Sequence, residues 1–379
     1  MMASPQGYNQ TDDLLVQTVD GVPFETLYNE MIASVNLLNA QRSPLIQALS
    51  FPVATPFEEI MPIVSEDFEE ADEFGQPKGI RLGTPWNMGY DLKYMDLGIR
   101  YTFRFLGRAP AAEIRALNNT ALDADQRLVM KTILDRVFRN VTDSATLESS
   151  NRVVSVYPFY NGDVTTLPVA PPAWKSYTHT TSHTHYLASG EASLKYTDVD
   201  EAYDHIHHHG YTQGGATVFV LMNRQETKIA RTWKVSGGMS YDFIPAIGTP
   251  GSTFLGTLVG QLPGASTPSG APSVFPGVVG YYGNVAIIEE DYIPAGYFLM
   301  IASGGLFNDR NPIGIREHEN AALRGLKLIP QFERYPLREA FYHHAIGSGV
   351  RHPAAGVVMK CTTGSYDIPA LTLGGQGGR

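Results

Sequence analysis

Apolar positions along this chain change period several times, and each change marks an element. Phe24, Leu27, Met31 and Ile32 recur at i, i+3, i+7 and i+8, which predicts an amphipathic helix with Pro23 near its first turn and Pro44 at its end. Phe51-Pro-Val-Ala-Thr-Pro and Ile60-Met-Pro-Ile-Val read as extended chain broken by prolines, suited to a sheet edge. After the turn Phe74-Gly-Gln-Pro-Lys-Gly, Met88 to Phe105 reads as a strand carrying Leu92, Tyr94, Ile99, Tyr101, Phe103 and Phe105. The two legs form a long two-stranded excursion. A lone hairpin is marginal in water, so this one needs another surface: a sheet within a core or, the favoured reading, a neighbouring chain. Leu122, Val129, Ile133 and Val137 carry a helical stripe after Pro110, with Asn118-Asn119-Thr120 expected to kink it, Asp123 to cap a second part and Asn140 to close it.

A shorter helix follows. Asp198 with Glu201 three residues on is a capping-box variant; Val199, Ala202, Tyr203 and Ile206 are the apolar face, and Gly210 is the stop. Ala216 to Met222 is a buried-strand candidate, Pro245 to Pro276 a surface loop, and Val278 to Ile288 strand again. From Ile293 to Pro369, apolar runs alternate with turn residues. Its landmarks are a Pro294-Ala-Gly turn, Asn311-Pro-Ile-Gly-Ile-Arg-Glu, a Gly325-Leu strand, Tyr335-Pro-Leu, and a Gly347-Ser-Gly-Val-Arg-His turn.

Composition narrows the class. The 379 residues suffice for two or three packed cores, and with 17% charged residues, 37 Gly and 25 Pro the chain is expected to be rich in strands and in partner contacts. No apolar run reaches the length of a membrane span, and the start lacks a signal-peptide pattern. A single cysteine, Cys361, excludes an intrachain disulfide framework and fits a reducing cytosol. The net charge of −10 is opposite to that of a DNA reader, yet it suits a container that must not stick to the DNA within.

Candidate chemistry is sparse. Histidines form two groups, His179, His183, His185 and His205, His207, His208, His209. His183 and His185 would suit a strand-borne metal pair, and His205 and His209 share one face of a helix. The plainer reading places the first group in a Ser/Thr-rich loop and the second at a helix C-terminus, where histidine favours the dipole. There is no HExxH, no phosphate-binding glycine loop, no dinucleotide fingerprint and no nucleophile elbow. Cys361 lies in an apolar strand and reads as a packed thiol. The expectation is therefore no catalytic residue, no cofactor and no metal, with Glu317, His318 and Glu319 as contact or solvated residues. A histidine-based metal enzyme is the lesser alternative.

The order of landmarks resembles the major capsid protein of tailed bacteriophages, built on the Hong Kong 97 fold. His183-Thr-His185-Tyr-Leu-Ala-Ser-Gly, His209-Gly-Tyr and Arg351-His-Pro-Ala-Ala-Gly-Val-Val-Met-Lys are similar to segments of actinobacterial-phage capsid proteins. The resemblance implies an α+β fold with an N-arm at 1–50 and an extended-loop hairpin at 51–108. It further implies a peripheral domain with a spine helix at 109–231, an axial domain at 232–340, and a return to the peripheral domain at 341–379. It implies self-assembly into hexamers and pentamers of an icosahedral shell that encloses double-stranded DNA, in the virion and assembled in the bacterial cytoplasm. A portal and a separate scaffolding protein are implied as partners; decoration proteins are left open, and no membrane is involved. The acidic run Glu66 to Glu73, with Glu69 and Glu70 at its centre, is expected to meet Arg316, Arg324 or Arg338 of a neighbour. Lys78, Arg81, Glu317 and Arg351 complete the inter-subunit contact candidates. Some members crosslink subunits by a Lys–Asn isopeptide bond, for which Lys78 or Lys93 is placed. An encapsulin-like compartment shell shares the fold and is the alternative container.

Overall fold

The computed structural model describes residues 15–60, 70, 86–147, 151–162, 174–180, 182–246, 277–329, 333–334 and 337–371. In chain order these form α1 (Phe24–Ala40), α2 (Pro44–Leu49), β1 (Ser50–Val53), β2 (Phe57–Ile60), β3 (Trp86–Gly89), β4 (Lys93–Thr102), α3 (Phe103–Leu106), α4 (Ala111–Phe138), β5 (Asp143–Thr146) and β6 (Val153–Val156). There follow β7 (Tyr186–Ala188), α5 (Tyr196–His207), β8 (Thr217–Met222), α6 (Arg224–Ala230), β9 (Phe243–Pro245), β10 (Val278–Tyr282), β11 (Val285–Glu289), β12 (Tyr297–Ser303), β13 (Ile313–Glu317), β14 (Lys327–Ile329), β15 (Glu333–Arg334), β16 (Leu337–Val350) and β17 (Gly356–Lys360). The chain is α+β and divides into two compact units, each woven from three segments. Among the described residues, no helix is long and apolar enough to cross a membrane.

The first unit holds residues up to 43, 93–129 and 318–346. Its frame is an antiparallel ladder in which β4 runs against β16 from Thr102↔Leu337 to Lys93↔Ile346, with β14 and β15 also pairing β16. Of the predicted stripe of α1, Leu27 and Met31 are buried and Phe24 and Ile32 half-buried; the buried line continues instead through Val35 and Leu38. Met31, Val35 and Leu38 pack with Ala121, Leu326 and Tyr342, and Leu27 with Tyr101, Leu106, Ala111 and Ile114. The strand predicted to reach Phe105 stops at Thr102, whose hydroxyl accepts the Phe105 N–H and caps the short α3.

Helix α4 runs unbroken for 28 residues, without the expected interruption at Asn118-Asn119-Thr120. The reason is tertiary. Asn118 is buried, donates to Ser34 Oγ at 3.0 Å and accepts from the Tyr342 hydroxyl at 2.6 Å, so its amide does not compete with the helix backbone. Asp123 lies exposed in mid-helix and caps nothing.

The second unit holds residues 44–92, 130–317 and 347 onward. Helix α1 stops at Ala40, short of the expected end at Pro44, which instead opens α2, where a proline is tolerated because its missing N–H has no partner in a first turn. The core is a seven-stranded mixed sheet ordered β7-β17-β12-β8-β11-β10-β9. The predicted strand β8 sits in its middle, antiparallel to β12 and parallel to β11, with Phe219 to Met222 fully buried. Helix α5 lays Val199, Ala202 and Ile206 on one sheet face, against Val220, Met222, Phe298, Met300, Val357 and Met359. Its capping box lies three residues earlier than predicted: the Asp198 carboxylate accepts the Lys195 N–H at 2.8 Å, so Asp198 is the third helical residue and not the cap.

The legs of the 51–108 excursion pair separately. β1 runs parallel to β13, β2 pairs β3 from Phe57↔Gly89 to Ile60↔Trp86, and β4 belongs to the first unit. The acidic run, apart from Glu70, and the loop predicted at Pro245 to Pro276 from residue 247 on lie outside the described residues. Gly347-Ser-Gly349 is not a turn. It lies within β16, and a Cβ on Gly347 would stand 1.7 Å from the Asp91 carbonyl oxygen. The glycine is there for close backbone approach, and Ser348 N–H donates to Asp91 Oδ1 at 2.6 Å beside it. The Asn311 landmark is a buried knot. Its amide donates to the carbonyls of Gln47, Ser50 and Gly305 and accepts from Ser303 Oγ and Gly304 N–H, which ties α2 and β1 to the end of β12.

Candidate functional site

The fold joins the two histidine groups that lie apart in sequence. His185 immediately precedes β7; its N–H donates to Tyr160 O at 2.6 Å, and its carbonyl accepts Val358 N–H at 2.9 Å, which fixes its backbone on the sheet. The second group rides the last turn of α5, and Gly210, at φ +77°, turns the chain just past it and leaves His209 facing the first group. His209 Nε2 stands 3.1 Å from His185 Nε2 and 3.1 Å from His183 Nε2. The His179 ring centroid lies 4.1 Å from that of His209 and 4.7 Å from that of His183. One nitrogen each of His179, His183 and His209 fall within 4.8 Å of one another, a group able to hold a single ion. His205 is stacked on His183 at 5.1 Å, while His207 bonds Thr212 and His208 stacks on Tyr177.

Tautomers follow from the partners. His185 Nδ1 lies 2.7 Å from Gly356 O, and a carbonyl only accepts, so Nδ1 carries the proton and Nε2 presents a lone pair towards His209. Complete burial, together with the adjacent His209, pushes the His185 pKa well below the ordinary imidazole value. Burial and then the neighbouring His205 push His183 down to about 4. His183 and His185 are thus neutral at neutral pH, the form in which imidazole binds metals.

The contact candidates scatter. Arg316 is 7% exposed and donates from Nη1 to Tyr90 O at 2.9 Å. Arg351 pairs with Glu58 at 3.1 Å and lies 5.1 Å over the Phe51 ring. Arg324 is exposed and clasps its own loop through the carbonyls of His318 and Glu319. Glu317 is half-buried at the end of β13, and the backbone of Arg338 pairs with Glu333 and Tyr101. Glu70 is exposed; Glu69, Lys78 and Arg81 lie outside the described residues. Lys93 is exposed at the start of β4. Burial pushes the Cys361 thiol up to about 12, far from a nucleophile's range. Sequence reasoning missed the buried Arg42–Asp125–His344 set, whose members lie 83 and 219 residues apart with no local signature.

No protein-family model matches the chain, and no curated protein matches it. Solved structures do. One from Mycobacterium phage Patience is 33% identical, covers 97% of this chain and 96% of its own, and superposes with a TM-score of 0.67. The capsid of an empty GTA particle is 12% identical over 84% of this chain and 90% of its own, with a TM-score of 0.45. An encapsulin complex from Synechococcus elongatus is 13% identical over 89% and 98%, also with a TM-score of 0.45.

Proposed function

Because the chain belongs to the major capsid protein family of tailed bacteriophages, with the Hong Kong 97 fold, we propose that it forms the hexamers and pentamers of an icosahedral shell around double-stranded DNA. The observation that carries this is the near end-to-end match, at 33% identity, to the mycobacteriophage structure. The role of the chain is structural. Closed symmetry repeats each contact, so interfaces of about 1,600 Å² apiece add up to a shell that is hard to dismantle.

In this reading the N-arm is 1–50, the extended loop 51–108, the peripheral domain 109–231 with its return at 341–379, and the axial domain 232–340. The unbroken α4 supports the spine-helix assignment, and the β2–β3 pair supports a hairpin base. Shell building proceeds in the host cytoplasm with a scaffolding protein and a portal. The net charge of −10 keeps the wall from binding the phosphates it encloses. Glu69 and Glu70 meet a basic residue across an interface, and exposed Arg324 suits that role.

Negative-stain microscopy of the purified protein tests the reading. Icosahedral shells or capsomers are expected, with nuclease-protected DNA in particles from infected cells. A uniform small monomer overturns it, and shells filled with protein cargo instead of DNA overturn the phage assignment while keeping the fold.

A further inference from the structure

We propose that His179, His183 and His209 bind one divalent cation of the zinc class. No ligand of this kind is needed for a shell subunit, so the inference goes beyond the capsid role.

The geometry argues for it first. Zinc takes imidazole nitrogens at about 2.0–2.1 Å in a tetrahedron, which sets ligand nitrogens about 3.3 Å apart. The His183–His209 and His185–His209 nitrogen separations are both 3.1 Å, close to that edge. His179, His183 and His209 converge within 4.8 Å. His185 stands behind the three: its far nitrogen donates to the Gly356 carbonyl, which fixes the ring and aims its Nε2 at His209, 3.1 Å away.

Proton placement argues for it second. His185 is held as the Nδ1–H form, so its Nε2 brings a lone pair to within 3.1 Å of His209 Nε2, which is itself 3.1 Å from His183 Nε2. An imidazole nitrogen has one in-plane position, for a proton or for a lone pair, and His209 Nε2 has two such nitrogens at 3.1 Å. A cation at the junction accepts all the lone pairs at once. Chemistry sets the class: a site of imidazoles alone suits zinc, copper or nickel and disfavours calcium and magnesium, which seek oxygen.

The ion would tie His179 and His183 to the end of α5, where His209 comes 26 positions after His183. The ion is then a structural staple for this unit, binding the folded state and not the unfolded one.

The test uses untagged full-length protein, stripped with chelator and dialysed against zinc chloride, with metal measured by mass spectrometry. About one equivalent of Zn²⁺ per chain is expected to remain after gel filtration. Cobalt should give the intense visible bands of a four-coordinate ion, and zinc should raise the melting temperature reversibly. His179→Gln changes a half-buried loop residue and is expected to weaken binding about tenfold or more while the apo protein folds as before. His207→Gln, bonded to Thr212 outside the cluster, should bind normally. Failure to retain zinc, or equal retention by His179→Gln and the parent, overturns the proposal. The capsid reading stands or falls separately, by microscopy.

Discussion

Asp125 lies within α4 with Arg42 on one carboxylate oxygen and His344 on the other at 2.5 Å, all three nearly excluded from water. Burial pushes its pKa up, but His344 and Arg42 together outweigh burial and hold the carboxyl below the ordinary range. Asp125→Asn leaves Arg42 buried without its counter-charge. It is expected to cost about 3–5 kcal/mol, read as a lower denaturant midpoint. The sign with pH follows from linkage. A carboxyl lowered by folding contributes stability above its unfolded pKa of about 3.9 and loses it as pH falls through the lower folded value. The gap between parent and Asp125→Asn should therefore close in acid, below about pH 4. Gly347 is the second sensitive residue. A methyl there meets the Asp91 carbonyl, a backbone atom that cannot swing aside, so Gly347→Ala should lose stability at or above the upper end of the about 1–3 kcal/mol range for overpacking.

At the scale of elements, Asn118 and Asn119 make a paired test of why α4 continues. Asn118→Leu removes the partners of Ser34 and Tyr342 and should cost about 1–3 kcal/mol, whereas exposed Asn119→Ala should stay within about 0.5 kcal/mol of neutral. Thermal melts of the two variants separate these outcomes. The same residues explain what the sequence could and could not say. Periodicity located α1, α4, α5 and β8, because burial of a stripe or run is a local signal. The break expected in α4 came from reading Asn118 by intrinsic propensity, which a tertiary partner 224 residues away reverses. The glycines of Gly347-Ser-Gly349 read as a turn because composition cannot distinguish a bend from a close approach. The histidine groups were visible, but their meeting was not: it depends on β7 pairing with β17 and on the chain reversal at Gly210.

At the scale of the whole molecule, the lysines considered for a crosslink give a direct outcome. Lys93 is on the β4 leg, in register with Ile346, and denaturing electrophoresis of mature particles is expected to show one band at monomer mass. Reversing both charges at Glu69 and Glu70 to lysine should impair assembly, measured as the shell fraction on a sucrose gradient; unchanged yield would remove the acidic run from the interface. The interleaving of the two units has a further outcome in time. Helix α1 is finished early in synthesis, yet two of the residues that cover it, Leu326 and Tyr342, come about 300 residues later than the helix and about 200 later than the cover from residues 101–121. Asn39 likewise waits for Leu326, 287 residues downstream. While the ribosome makes the intervening chain, Met31, Val35 and Leu38 lack the part of their cover that Leu326 and Tyr342 supply, which leaves that end of α1 open to chaperones or to other nascent subunits. A chain stalled before β16 should leave α1 sensitive to protease, and release of the last fifty or so residues should protect it. A chain cut short before β16 is then expected to leave α1 part-covered and to stay out of a growing shell, so that a broken message does not poison assembly.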